Sequence, residues 1–218
     1  MRVENLKQKF DISIKLIHFP LHPDTPAQGI LMSDLFAGRD YDPEAAHQRM
    51  KGLMEVEGLP YGERTHTYNS RLAQELGSWA ETRPDGQIIH DELYRAYFVD
   101  GKNIGSKQVL VEIAEKIGLN VEETKEVLYK RSFKESVDLD WAKSREYGVT
   151  GVPTFVSNGY GVVGAQPYEA LEQLVIQAGA SRRTSNKIVS RGFLFQSNLS
   201  TCCLRKATYK SLGFDIAC

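Results

Sequence analysis

The 218-residue sequence predicts an α/β fold with a large all-helical insertion, on three observations. A buried-strand pattern comes early, at Ile12–Phe19. Helical periodicities then run from Pro43 to Gly148, and a hairpin with a closing helix ends the patterned region at Gly179. Hydrophobic residues make up 41% and charged residues 25%, with a formal net charge of −1. That balance excludes a disordered chain, a collagen and a strongly basic nucleic-acid binder.

The elements follow in order. Val3, Leu6 and Phe10 stand at helical spacing and read as the last turns of a helix whose beginning is missing. In the strand, Ile12, Ile14 and Leu16 share one face, Ile17 and Phe19 the other, and Pro20 stops it. Residues 21–40 are irregular. Asp42-Pro43 supplies an N-cap with Pro at the first helical position, and Ala46, Met50, Leu53 and Met54 form the expected core stripe, closed by Gly58 and Pro60. Asn69 caps the next helix, where Leu72, Leu76, Trp79 and Ala80 share a face until Pro84-Asp85-Gly86.

Ile89, Leu93 and Tyr97 mark a third helix, ended by Asp100-Gly101. Ser106 caps a fourth, which places Val109, Leu110, Ile113, Ala114 and Ile117 inside and Gly118 just past its end. Asn120 with Glu123 resembles a capping box for a fifth, and Val137, Trp141 and Ser144 lead a sixth to Gly148. The joining turns are short, which predicts one compact helical unit. Thr154–Ser157 and Tyr160–Val163 then flank Asn158-Gly159, a strong hairpin signal. Gln166-Pro167 opens a last helix with Leu171, Leu174, Val175 and Ala178 inside.

Composition shifts at Gly179-Ala180-Ser181. From Ser181 onward seven basic residues face the single acid Asp215, so a net +6 tail follows a −7 body. The three cysteines, Cys202, Cys203 and Cys218, all lie in that tail. A disulfide-stapled body is thereby excluded. The charged first nine residues lack the apolar stretch of a secretory signal, and no apolar run approaches the roughly 20 residues of a membrane span, so a cytoplasmic setting without membrane or nucleic-acid partners is expected.

Few residues carry chemistry. Pro153, opening a strand after the turn Gly148-Val149-Thr150-Gly151-Val152, is a candidate cis-proline. A cis bond would turn the N–H and C=O of Val152 away from the sheet, toward a peptide or thiol ligand. A trans Pro starting an edge strand is the alternative. Asn69, Ser70 and Arg71 open a helix whose N–H groups are able to meet an anion, although capping by Asn69 explains the same residues. His18 and His22 have metal-pair spacing but flank Pro20 without a third ligand, so both are read as surface loop histidines and no metal site is assigned. Trp79, Tyr94, Tyr97 and Trp141 are expected in the core. Asn198-Leu199-Ser200, without a secretory signal, is not a glycosylation acceptor.

Gly-Val-Pro-Thr-Phe at 151–155, the Asn-Gly hairpin, Gly164-Ala165-Gln166-Pro167 and the closing helix together resemble the DsbA-like thioredoxin-fold family. The similar branch is that of the FrnE-type oxidoreductases, related to hydroxychromene-carboxylate isomerases and kappa-class glutathione transferases. Phe19-Pro20-Leu21-His22-Pro23, Tyr68–Ala73 and Phe98–Ile104 also resemble that branch. The resemblance implies thiol–disulfide oxidoreductase activity, with a thiol- or disulfide-containing peptide or glutathione as partner. Glutathione would be a cosubstrate, and no other cofactor is expected. Val152, Pro153, Asn69 and Ser70 are the implied substrate-binding residues. Glutathione-dependent isomerisation or conjugation, and a non-catalytic peptide-binding module, are the alternatives.

Family members begin with a strand leading into Cys-x-x-Cys at a helix start, where the helix N-terminus activates the first thiol. This sequence reads as starting inside that helix, so no catalytic residue is assigned. The expected organisation is a thioredoxin-like domain at 1–26 and 149–180 with its first strand absent, a helical insertion at 27–148, and a basic, disordered tail at 181–218. Lys187–Phe195 holds the one extra strand pattern noticed in the tail. With the central strand gone, Ile12–Phe19 and Thr154–Ser157 lack ladder partners, which predicts a marginal or aggregating sheet.

Overall fold

The structure, a computed structural model, describes residues 2–183 and 212–217. In chain order the elements are α1 (Arg2–Lys9), β1 (Ile12–Ile17), β2 (Ile30–Leu31), α2 (Met32–Leu35), α3 (Pro43–Val56), β3 (His66–Thr67), α4 (Arg71–Ala80) and α5 (Ile88–Phe98). There follow α6 (Lys107–Lys116), α7 (Val121–Lys130), α8 (Lys134–Glu146), β4 (Thr154–Ser157), β5 (Tyr160–Val163), α9 (Tyr168–Gln177) and β6 (Leu212–Ala217). They form two compact units, one of Met1–Leu16 with Pro153–Ala217, the other containing Ile17–Val152.

The first unit is built on a four-stranded sheet of order β1-β6-β4-β5. β4 and β5 pair antiparallel, Thr154 opposite Val163 and Ser157 opposite Tyr160. Asn158 (φ 47°) and Gly159 (φ 83°) make the left-handed turn that matches strand twist in a two-residue hairpin. Behind the sheet, α1 packs on α9, burying Leu6, Phe10, Leu171, Leu174 and Val175, while Arg2 donates to the Gln166 carbonyl at 2.9 Å.

The centre of that sheet corrects the sequence reading. The slot between β1 and β4, expected to be empty, holds β6 from the tail. β6 runs antiparallel to β4, with Ala217 opposite Thr154, Ile216 opposite Phe155 and Asp215 opposite Val156. Backbone donors and acceptors on two neighbouring strands demand a partner, and a six-residue segment later in the chain supplies it. The tail is therefore not wholly disordered. Its first residues also belong to the body: Asp11 donates to Ser181 O and Arg183 N donates to Lys9 O, both at 2.8 Å. Arg182 lies over the Phe10 ring and pairs with Glu172. Lys187–Phe195 falls outside the described residues.

The second unit has its core where α4, α5, α6 and α7 meet, around Leu76, Trp79, Ile89, Leu110 and Leu128. Two details depart from expectation. Helix α3 buries none of its residues, with Leu53 57% and Val56 85% exposed, so its stripe is not core. Tyr94 is likewise exposed, because α5 turns Ile89, Leu93 and Ala96 inward and leaves Tyr94 beside Phe98 on the outer side.

The unit boundaries fall after Leu16 and Val152, not after residues 26 and 148. Polar bonds explain the first shift. His18 N donates to Asp140 Oδ2, Gln74 Nε2 donates to Phe19 O, and Asn69 Nδ2 donates to Pro23 O and Thr25 O. These bonds fasten residues 18–25 to the helices.

Candidate functional site

The segment before β4 is delivered by the end of α8. There Gly148 (φ 66°) takes the left-handed position, Gly148 N donates to Arg145 O and Val149 N to Ser144 O, closing the helix and releasing the chain toward Val152. Pro153 O accepts from Gly164 N at 2.7 Å, which pins the strand start to the far end of β5. Thr154 and Phe155 are buried; Val152 and Pro153 are half-buried. Among the described residues no hydrogen bond reaches the N–H or the C=O of Val152. A half-buried residue with both main-chain groups unpaired, next to a fixed strand, offers one donor and one acceptor to an extended ligand.

Asn69 and Ser70 have other work. The Asn69 amide donates to Pro23 O (3.0 Å) and Thr25 O (2.9 Å), and its Oδ1 accepts from Arg71 N at 2.9 Å. Ser70 Oγ accepts from Gln74 Nε2, and Ser70 makes no side-chain cap. Asn103 repeats the device: its Nδ2 donates to Ala27 O and its Oδ1 accepts from Gly105 N. Two asparagines thus hold the Pro23–Ala27 loop. Asn69→Asp keeps the acceptor for Arg71 N and removes both donors, so it should cost about 1–3 kcal/mol. Hydrogen exchange checks it: amides near Thr25 and Gly29 should lose protection while α4 stays protected, and unchanged loop protection would remove the role.

His18 overturns its surface assignment. It is 9% exposed, and its Nδ1 lies 2.8 Å from Asp140 Oδ2. His90 sits 6.3 Å away, ring to ring, with its Nε2 2.8 Å from Glu81 Oε1. Side chains at Gly77 would strike the His90 ring at 2.9 Å, so glycine there admits the two imidazoles to one face of α4. Spacing along the chain gave no hint, because Asp140 and His90 are distant in sequence. His22 is exposed, and partial burial together with the charges of Arg39 and Arg64 holds its pKa below the usual imidazole value. Among the described residues no three His, Cys, Asp or Glu side chains are grouped to hold a metal ion.

Beside this lies a buried charge clamp that the sequence also hid. Glu75 is 1% exposed, and its carboxylate takes Nε from Arg71 (2.7 Å) plus Nε and Nη2 from Arg131 (2.7 and 2.6 Å). Burial acts to raise the Glu75 pKa, but the hydrogen bonds and charges of Arg131 and Arg71 outweigh it and hold the carboxyl below its ordinary value. Arg71 also stacks over Trp141 and donates to Asp138 and Lys134 O. The clamp joins α4, the end of α7 and α8.

A hairpin-edged sheet backed by α1 and α9, with a Pro-opened central strand and a helical unit between its halves in sequence, defines a thioredoxin-like α/β protein. The DSBA-like thioredoxin domain model matches residues 1–175, and the chain belongs to that family of thiol–disulfide oxidoreductases. YwbO, an uncharacterized protein of Bacillus subtilis, is 26% identical over 174 residues, spanning 79% of this chain and 84% of the relative. The crystal structure of a probable DsbA oxidoreductase, SCO1869 of Streptomyces coelicolor, is 26% identical with TM-score 0.66, over 88% of this chain and 80% of that one. A 2-hydroxychromene-2-carboxylate isomerase shares the fold at 18% identity and TM-score 0.52, over 62% of this chain and 65% of its own. Among the described residues no helix is long and apolar enough to cross a membrane.

Proposed function

We propose that this chain is a FrnE-type member that binds a thiol- or disulfide-containing peptide, or glutathione, in extended form against Val152. The N–H and C=O of Val152, without a hydrogen-bond partner among the described residues and beside the anchored Pro153, carry this reading. A cis bond at Val152-Pro153 is part of the proposal, since it turns both groups outward. Pro153 supplies shape, and Asn69 and Ser70 hold the Pro23–Ala27 loop and the start of α4. No Cys-x-x-Cys occurs in the 218 residues, so the electron-transfer step is assigned to none of them. A reducing, cytoplasmic compartment is the proposed setting, in keeping with a body free of cysteine from Met1 to Thr201.

The test is a titration of the isotopically labelled protein with reduced glutathione, oxidised glutathione and a short disulfide-bonded peptide, followed by NMR. Amide shifts are expected at Val152 and Thr154. Val152→Pro deletes the N–H and should abolish the response, while Val152→Ala keeps the N–H and should bind within a few-fold of wild type. A response to reduced glutathione alone would favour the isomerase or transferase alternative. No response at Val152 with any of the three ligands would end the proposal.

A further inference from the structure

Two imidazoles of the helical unit present free nitrogens to one place. Each turns its other ring nitrogen to a carboxylate, His18 Nδ1 at 2.8 Å from Asp140 Oδ2 and His90 Nε2 at 2.8 Å from Glu81 Oε1. An ionised carboxylate only accepts, so in the neutral rings the proton sits on those two nitrogens. His18 Nε2 and His90 Nδ1 are then acceptors, and neither has a hydrogen-bond partner among the described residues. Both border one spot above Gly77, where a β-carbon would lie 3.6 Å from His18 Nε2 and 3.5 Å from His90 Nδ1. His18 is 9% exposed, yet neither free nitrogen is sealed in, since the buried side-chain atom lacking a partner among the described residues is Trp79 Nε1.

Charge and spacing say what fits there. Neither Asp140 nor Glu81 has a lysine or arginine partner among the described residues, so two carboxylate charges stand behind the rings and favour a cation. A tetrahedral metal about 2.1 Å from each nitrogen would hold the ring centres about 5.3 Å apart. A nitrogen donor at hydrogen-bond length, about 2.9 Å from each, would hold them about 6.6 Å apart at the same angle. They stand at 6.3 Å. The spacing favours hydrogen bonds over coordination, and among the described residues no third side chain joins the pair to hold a metal.

We propose that His18 and His90 bind the primary ammonium group of a small amine or of a peptide N-terminus. Two of its N–H donors go to His18 Nε2 and His90 Nδ1, and Gly77 leaves it the room. Such a group brings the positive charge and the paired donors that the site lacks. The site shares no residue with the groups of Val152 and does not rest on them.

NMR of the full chain with ¹⁵N-labelled histidine tests it, at a pH where the ring shifts report neutral imidazole. Glycinamide is expected to move the His18 Nε2 and His90 Nδ1 signals to saturation. Tetramethylammonium has the charge without donors, and N-acetylglycinamide lacks the ammonium, so both should leave the signals in place. Ethylamine acting as well as glycinamide would assign the site to any alkylammonium, and glycinamide acting alone would assign it to a peptide end. Gly77→Ala puts a methyl group beside both nitrogens and should abolish the shifts, with the circular dichroism spectrum retained because alanine favours the helix. Asp140→Asn and Glu81→Gln keep an acceptor for the ring N–H and remove the charge, so each should weaken binding several-fold. No shift with either amine overturns the proposal. So does an equal response to tetramethylammonium or N-acetylglycinamide, full binding by Gly77→Ala, or unchanged affinity in both carboxamide variants.

Discussion

A chain ending at Arg183 is expected to lose its sharp thermal transition and to bind a hydrophobic dye such as ANS. The reason is the place of β6, between β1 and β4. Its removal strips ladder partners from both strands at once, and each buried backbone group left unpaired costs about 1–3 kcal/mol. Stabilities of about 5–15 kcal/mol do not survive several such losses. A milder version is Ile216→Pro, which removes the ladder donor opposite Phe155. A loss of about 2 kcal/mol there would lower Tm by about 4–8 °C. Calorimetry on the full chain, the shortened chain and the proline variant gives the answer. An unchanged, cooperative melt of the shortened chain would show that β6 contributes nothing.

Replacing Glu75 by Gln should cost about 1.5–3 kcal/mol, because it removes the buried carboxylate whose charge-assisted hydrogen bonds Arg71 and Arg131 share. The acid dependence has a defined sign. The folded-state pKa of Glu75 is lowered, so its stabilisation is complete above the unfolded carboxylate value and fades as pH falls through the folded one. Wild type should therefore lose stability into the acid range with a slope that Glu75→Gln partly lacks. Urea titrations at neutral and acidic pH measure both effects. Equal stability of the two proteins at neutral pH would mean that the clamp is not stabilising.

The clamp also explains a residue that propensity argues against. Arg131 closes α7 in the left-handed conformation, φ 55° and ψ 39°, where glycine is the usual choice. From that position its guanidinium reaches both oxygens of Glu75. Arginine is thus held there by its partner across the helix interface and not by local preference.

The sequence by itself determined α1, β1, the helices α3 to α9 and the β4–β5 hairpin, but not the short β2, α2 and β3 or the strand β6. Caps at Asp42 and Asn120 open helices where they were expected to, and Asn158-Gly159 turns the hairpin. The apolar periodicities of 71–80, 107–116 and 168–177 bury most of the side chains they predict, among them Leu76, Trp79, Leu110, Ile113, Leu171 and Leu174, with Leu72 and Val109 partly buried. These features depend on neighbours within a few residues, and a linear pattern records such interactions directly. The Val152-Pro153 segment stands out in the sequence for the same reason, as a proline after a glycine-rich turn, and its role remains a proposal.

What only the tertiary structure decided are pairings between residues far apart in the chain. Leu212, Phe214 and Ile216 alternate with Gly213, Asp215 and Ala217, but six alternating residues at the end of a basic tail do not say which sheet they enter. The open ladder between β1 and β4 selects them. His18 becomes a buried partner of Asp140 only because the fold of the second unit brings α8 beside residue 18. The α3 stripe, amphipathic on paper, stays exposed, since periodicity shows that a helix has an apolar face but does not show what that face meets. Local order is set by short-range sterics and capping; burial and strand order are set by which surfaces the whole chain leaves unsatisfied.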